Sequence, residues 1–426
     1  MLRTLTLLLL SATAAAAVRP AAASELPSPL TLEAAITAAR DRNPDIRAAQ
    51  ARYLAMRERP IQAGTLPDPT LGVTYHNEDW DNTFGESEFS FVEVTAEQEI
   101  PFPGKLGHRA RIAEHAAERE RAMRDMTVLM TLANVATSYA DLAVTERSEE
   151  ILRDNTRLLA LMIDQANARY GVGEAAQQDV LRATLELGAL EERLTMLARQ
   201  RKAAAAALAA LLDLHATQSL PATAPLPAPA LLEPLDSLNT RLATGSPPLR
   251  AAAEDLLGAR EALRLARREY YPDFAVMGGY MNKERLLPEW ELGVRVNIPL
   301  YFWRRQRAGV AEASFAASAA KRAQRNAQVS LEARLADFHA MAESAQRLVR
   351  LYDETLIPQA ALTLESARTS YGVGRVDFLT TLTAFSALLE YRLRRTEEGG
   401  NLWRALAEIG PVVGQLPLGE PIASAP

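Results

Sequence analysis

Cysteine is absent from the 426 residues. A secreted chain without it has no disulfide brace and must draw stability from packing or assembly. The same absence leads to the expectation that no lipid-modified N-terminal cysteine anchors it. Aromatic residues make up only 6%. Beyond the N-terminal leader no run of 18 apolar residues occurs, so no transmembrane helix is expected. There is no glycine-rich phosphate loop with its lysine, no nucleophile elbow and no paired-carboxylate signature. These absences argue against an enzyme and against a bound cofactor. An excess of basic residues is missing too: 47 Lys and Arg stand against 53 Asp and Glu, a formal charge of −6. That excludes a nucleic-acid surface and is compatible with an acidic lumen for cations.

What is present begins with a leader. Residues 1–24 read as a secretory signal, with Arg3, the apolar run Leu5 to Leu10, and small residues ending Ala21-Ala22-Ala23-Ser24. Cleavage is expected near Ala23 or Ser24. The apolar run is too short for a membrane anchor and is broken by Arg19-Pro20. Losing Arg3 and Arg19 takes the charge from −6 to −8.

The rest says one thing twice. Tyr170-Gly171-Val172-Gly173 recurs as Tyr371-Gly372-Val373-Gly374. Asn43-Pro44 is answered by Ser246-Pro247, Leu66-Pro67-Asp68 by Tyr271-Pro272-Asp273, and Ile100-Pro101-Phe102 by Ile298-Pro299-Leu300. A period near 200 residues is too long for a solenoid unit and marks a duplicated domain-sized module. The expected organisation is a first repeat over 25–219, a proline-rich linker over 220–245, a second repeat over 246–413 and a flexible tail over 414–426.

Each repeat contains two long helical stretches. Lys105 to Arg169 has no proline and, after Gly107, no glycine, a rod of ~100 Å at 1.5 Å per residue. Arg304 to Ser370 is its counterpart, with Pro358 expected to kink it or open its hydrogen-bond ladder. Return helices are expected from about Ala175 to Leu214 and Val376 to Ile409. Leu181, Leu185, Leu194, Ala203, Leu208 and Leu211 supply the expected packing seam of the first. The reversals at 170–174 and 371–375 hold glycines that accept positive φ. Taken singly they read as ordinary hairpin turns; their repetition points to a paired functional tip.

Ahead of each long helix the period changes to two. Leu71, Val73 and Tyr75, then Val92, Val94 and Ala96, alternate with polar residues across 70–100. Phe274, Val276 and Tyr280, then Trp290, Leu292, Val294 and Val296, do so across 272–300. Glu93, Glu97, Glu291 and Arg295 occupy the polar stripe, the lumen side if these strands line a barrel. Four strands cannot close a membrane barrel, which needs at least about eight, and lipid does not tolerate an open edge. Strands that span a membrane must therefore be shared between chains, and three chains supply twelve. A soluble α+β protein with its hairpins packed on a helix fits the alternation equally.

The chain resembles the outer-membrane efflux protein family, the TolC family, from about Leu32 to Gly410. The resemblance rests on Tyr170, Gly173, Asp179-Val180-Leu181 and Ala183, repeated as Tyr371, Gly374, Phe378-Leu379 and Leu382. Leu66-Pro67-Asp68-Pro69 with Gln98-Glu99-Ile100-Pro101-Phe102-Pro103-Gly104-Lys105 is similar to the branch serving heavy-metal resistance pumps. So is Val296-Asn297-Ile298-Pro299-Leu300-Tyr301 followed by Ala311-Glu312-Ala313. The resemblance implies a mainly α fold with a small β part. The duplicated module forms a trimeric α-barrel in the periplasm and a shared twelve-stranded β-barrel in the outer membrane. Pro221 to Pro234 and a short helix near Leu235 to Leu242 would form an equatorial belt.

The resemblance further implies a passive exit duct. An inner-membrane pump of the resistance-nodulation-division type feeds it small molecules or heavy-metal cations through a periplasmic adaptor. The adaptor would dock at the tips, on Tyr170, Gly171, Gly173, Tyr371, Gly372 and Gly374. Relatives narrow the closed pore with acidic residues just after the second tip. Here Thr380 and Thr383 stand at the matching positions, leaving Asp179 and Asp377 as the candidate constriction. Asp377 reads equally as a helix N-cap. Two other readings stay open: a duct for type I protein secretion, and a periplasmic helical scaffold or adaptor. No metal site is expected within the chain. Of the five histidines only His108 and His115 share a helical face, and a surface or interhelix role fits them better than ligation. Met123, Met126 and Met130 read as packing rather than a copper path.

Overall fold

The chain is described here by a computed structural model covering residues 26–78, 80–215, 218–227 and 232–415. The leader expected over 1–24 and the tail beyond 415 lie outside the described residues.

The first repeat opens with α1 (Leu32–Arg42), α2 (Pro44–Arg57) and the short α3 (Arg59–Gly64). Asn43 separates the first two because Pro44 has no amide hydrogen to continue α1. Its side-chain oxygen accepts the amides of Asp45 (2.9 Å) and Ile46 (3.3 Å), capping α2. Strands β1 (Thr70–His76) and β2 (Phe91–Ile100) follow, then α4 (Lys105–Gly171) and α5 (Gln177–Leu211). The second repeat runs α6 (Leu235–Gly245), α7 (Pro247–Arg268), β3 (Asp273–Asn282), β4 (Glu289–Asn297), α8 (Arg305–Leu351), a π-turn (Tyr352–Leu356), α9 (Ile357–Gly372) and α10 (Phe378–Val413).

α6 repeats α1. Both span 11 residues, both end at a proline that starts the next helix, and each packs into the groove of its own long pair. Leu32, Ala35, Ile36 and Ala39 meet Leu129, Leu132 and Leu208; Leu238 and Leu242 meet Leu331, Leu335, Ile409 and Val412. The helix expected to belong to the belt thus takes in the second repeat the place that α1 holds in the first. Ahead of it, the linker is strapped onto α4 and α10. The buried Tyr139 hydroxyl donates toward the Leu30 and Ala224 carbonyls (2.8 Å each), the Thr223 amide donates to Glu146 (2.9 Å), and Trp403 Nε1 donates to the Pro227 carbonyl (3.1 Å).

The two long helices differ by one residue. α4 has 67, whereas the stretch from Arg305 to Gly372 has 68. The surplus is taken up in the π-turn, two residues before Pro358. A wide turn there spares the bond the proline cannot donate, so the expected opening of the ladder occurs at that place. Among the described residues α4 is the only helix apolar and long enough to cross a membrane. Since 61% of that window is buried, it is a core helix.

The seam expected on α5 divides within this chain. Leu181 and Leu185 are 61% and 77% exposed, whereas Ala183, Leu190 and Leu208 are buried. The helix carries two apolar stripes, and spacing alone does not say which one faces its own chain.

The strands form one antiparallel meander, β1-β2-β3-β4, with both outer strands unpaired on one side. Register sorts the side chains cleanly. One face carries Leu71, Val73, Tyr75, Val92, Val94, Val276, Tyr280, Trp290, Leu292, Val294 and Val296; the other carries Thr74, Glu93, Thr95, Glu97, Glu99, Met277, Glu291 and Arg295. The apolar face is bare, with Leu71, Val73, Trp290 and Leu292 each more than 70% exposed.

Sheet and helices are welded by an ionic ladder between α4 and α7. Lys105, 1% exposed, donates to Asp273 (2.9 Å), Glu269 (3.2 Å) and the Tyr271 carbonyl (3.1 Å). Further along, His108 and Arg111 meet Glu261 (2.8 and 3.0 Å), His115 meets Glu254 (2.8 Å), Arg119 meets Asp255 (2.9 Å) and Arg250 reaches Asp125 (2.8 Å). Of the surface and interhelix roles their spacing left open, the two histidines take the interhelix one. Burial alone would raise the Glu261 carboxyl, but hydrogen bonds from His108 and Arg111, with Arg264 nearby, hold it down at about 2. Because that lies below the unfolded value of about 4.3, its stabilisation is complete above that pH and is lost as pH falls toward about 2. Glu261→Gln should cost about 3 kcal/mol at neutral pH and flatten the acid limb between about pH 4.5 and 2, measured by urea unfolding at stepped pH.

Candidate functional site

Both tips close in the same way. Gly173 and Gly374 sit at φ 81° and 74°, left-handed values that leave β-branched residues strained. The Gly173 amide donates to the Tyr170 carbonyl (3.0 Å) and that of Glu174 to Arg169 (2.9 Å); Gly374 to Tyr371 (3.0 Å) and Arg375 to Ser370 (2.9 Å) repeat the pair. Paired bonds of this kind close a helix C-terminus around a left-handed glycine.

The side chains break the symmetry. Tyr170 is 47% exposed; Tyr371 is 4% exposed. Tyr371 is held between Phe378, edge to face at 5.4 Å, and the Arg169 guanidinium, 4.8 Å from its ring centre. Arg169 also donates to the Tyr371 carbonyl. The second copy has Ser370 where the first has Arg169, so the clasp runs one way only. Of the six tip residues proposed for docking, Tyr371 is therefore not presented at the surface, because the clasp covers it. Its hydroxyl is buried without a hydrogen-bond partner, and burial with the nearby Asp179 carboxylate pushes its pKa up. Arg169 carries no signal of its own in the repeat motif; only its replacement by Ser370 in the second copy marks it.

The two aspartates are not equivalent. Asp377 caps α10, its carboxylate accepting the Thr380 amide (3.0 Å) and hydroxyl, and these bonds, the hydroxyl's foremost, lower its pKa. Asp179 lies inside the first turn of α5 and caps nothing. Thr380 occupies the place in the second repeat that Asp179 holds in the first.

At the other end, the polar face of the sheet holds all four predicted residues, Glu93, Glu97, Glu291 and Arg295. With Glu99 and Glu289 it carries five carboxylates, of which Glu97 is paired to Arg295 at 2.6 Å and Glu289 to Lys283 at 2.7 Å. This face is the crowded one. A Cβ at Gly72, Gly279 or Gly293 would lie 2.7, 2.8 or 2.9 Å from the side chains of Thr95, Glu291 and Met277. Side chains converge on the inside of a curled sheet, so the polar face is concave and the apolar face convex. That is the arrangement of a barrel with a wet interior and a lipid-facing wall.

Residues 35–213 and 240–414 match the model of the outer membrane efflux protein family. The chain belongs to that family. The cobalt-zinc-cadmium resistance protein CzcC of Cupriavidus metallidurans is 24% identical over 403 residues, covering 92% of this chain and 91% of the relative. Among solved structures, CusC superposes with a TM-score of 0.78 at 15% identity, covering 90% of this chain and 92% of that one. The outer membrane protein VceC from Vibrio cholerae does so at 0.77 and 17%, covering 90% and 96%. The fold is that of outer-membrane efflux channels, and this chain is an outer-membrane efflux component that extends into the periplasm. Membership implies a tripartite system, with an adaptor and an inner-membrane pump as partners.

Arg169→Ala should free Tyr371 and loosen the two hairpin ends from each other. Loss of the stacked cation and its hydrogen bond is expected to cost about 2 kcal/mol. It should appear as faster amide exchange at the tips with the barrel end unchanged.

Proposed function

We propose that three copies of this chain form the exit duct of a heavy-metal efflux system, each copy contributing four strands to one twelve-stranded barrel. The observation that carries the cation reading is the concave sheet face, where Arg295 is neutralised by Glu97 and Lys283 by Glu289, leaving Glu93, Glu99 and Glu291 with no lysine or arginine partner among the described residues. Threefold repetition around a low-dielectric wall concentrates cations in the pore and repels anions. The kinship with a cobalt-zinc-cadmium resistance protein supports the same cargo. The chain supplies no energy to the cation; a pump of the resistance-nodulation-division type would provide it. The exposed parts of the tips, Tyr170, Gly171, Gly173, Gly372 and Gly374, would receive the adaptor, with Asp179 and Asp377 lining the narrow end behind them.

Two measurements test this. In planar bilayers the purified channel should prefer cations, and Glu93→Gln, Glu99→Gln and Glu291→Gln together should reduce that preference; an anion-selective wild type would remove the cation reading and leave the duct. In cells, a deletion strain should become sensitive to cobalt, zinc or cadmium. The double variant Gly173→Val, Gly374→Val should not restore tolerance although its barrel inserts normally, because valine resists positive φ. Full tolerance in that variant would show that the reversals are not a docking surface.

A further inference from the structure

The connection from β4 into α8 reads Tyr301-Phe302-Trp303-Arg304-Arg305-Gln306-Arg307. The three aromatic side chains are 69%, 51% and 56% exposed. They pack on one another, Trp303 lying 6.1 Å from Tyr301 and 5.2 Å from Phe302. The Arg304 and Arg307 amides donate to the Tyr301 (3.0 Å) and Phe302 (3.1 Å) carbonyls, which fixes aromatics and arginines in one turn. Arg267 and Arg268, from the end of the neighbouring α7, add to the patch. All five arginines are exposed, and none makes an ion pair among the described residues. The carboxylates of this junction, Glu269 and Asp273, are already bound by Lys105. A cavity of about 820 Å³ opens beside the patch, walled by Ile298, Leu300, Tyr301 and Arg305 on the patch side and by Lys105, Glu269, Asp273 and Glu312 elsewhere.

Depth in the membrane follows from the strands. Tyr75, Tyr280 and Trp290 end the apolar face at its far side, each at least 50% exposed. The nine residues of β4 span ~30 Å along the strand, or about 23 Å of height at a tilt near 40°. The Tyr301–Trp303 cluster therefore lies one apolar band away, at the interface where the chain leaves the sheet for its helices, and that is the periplasmic leaflet. Aromatic side chains settle at this level, and guanidinium groups just below it meet lipid phosphate.

From this we infer a binding site for anionic phospholipid of the periplasmic leaflet: Arg304, Arg305 and Arg307 hold the headgroup phosphate while Leu300, Tyr301 and Trp303 receive the start of the acyl chains. The site is continuous with the lipid-facing wall and complementary in charge to its occupant. It rests on the outer-membrane placement and not on the cargo.

The test uses the intact purified channel in mild detergent, without metal or pump, offered equal amounts of phosphatidylglycerol and phosphatidylethanolamine and read by native mass spectrometry. Wild type should retain phosphatidylglycerol preferentially. Each arginine replaced by glutamine should lower the preference about fivefold, the worth of one cation near an anionic surface, and Arg304→Gln, Arg305→Gln, Arg307→Gln together should bring it to parity. Lys321→Gln, Arg322→Gln and Arg325→Gln together, the same loss of three charges on exposed α8 farther from the sheet, should leave it intact. An unchanged preference in the triple variant would overturn the site, as would retention of lipopolysaccharide in place of phospholipid. Loss of the oligomer in the triple variant but not in the control would overturn it too, by assigning the arginines to a neighbouring subunit.

Discussion

Lipid offers nothing to an unpaired amide or carbonyl, so a strand that enters it must find a partner on both sides. This chain has four strands in a row and two outer edges left over. It also has a convex face of leucine, valine and tryptophan with no element of its own to cover it. Long helices do not fold back over the sheet; they leave from one end of it. The edges demand neighbours and the face demands lipid, and both demands are met together only by closure between chains. The ionic ladder fixes the sheet to the helices. Lys105 ties the start of α4 to the last turn of α7 and the first residue of β3 at one buried point.

Duplication gives each chain two nearly equal halves, and the departures are local. One extra residue in the second long helix is absorbed by the π-turn beside Pro358. Asp377 caps its helix where the first copy has Ala176. Tyr371 is covered where Tyr170 is bare, because Arg169 reaches across from the first hairpin. Two hairpins that look interchangeable in motif therefore present different surfaces, one ending in an exposed phenol and the other in a buried one. A partner that met both tips would read two different shapes.

Much of this was legible beforehand, for identifiable reasons. The strands showed because a two-residue period with glutamate opposite valine has no helical interpretation over nine positions. The tips showed because only glycine takes φ near +80° without strain. The seven-residue spacing of His108 and His115 placed them on one face, but that this face meets α7 rather than solvent was decided by packing. The seam of α5 did not show. Leu181 and Leu185 form as good a stripe as Ala183, Leu187 and Leu190, and choosing between them requires knowing where α4 lies. Nor did the kinship of α1 with α6, since 11 residues give too little periodicity to match, and it emerged only when both were seen in equivalent grooves.

The order of elements, the duplication, the two-faced strands and the reversals were set by the sequence alone, because each rests on local backbone preference and on periodicity. Tertiary structure decided which polar side chains meet. Glu97 finds Arg295 across an intervening strand, Lys105 finds Asp273 and Glu269, and Arg169 finds Tyr371 some two hundred residues away. It also decided which face of the sheet is concave. Those facts depend on register and curvature, and neither is a property of any one stretch of chain.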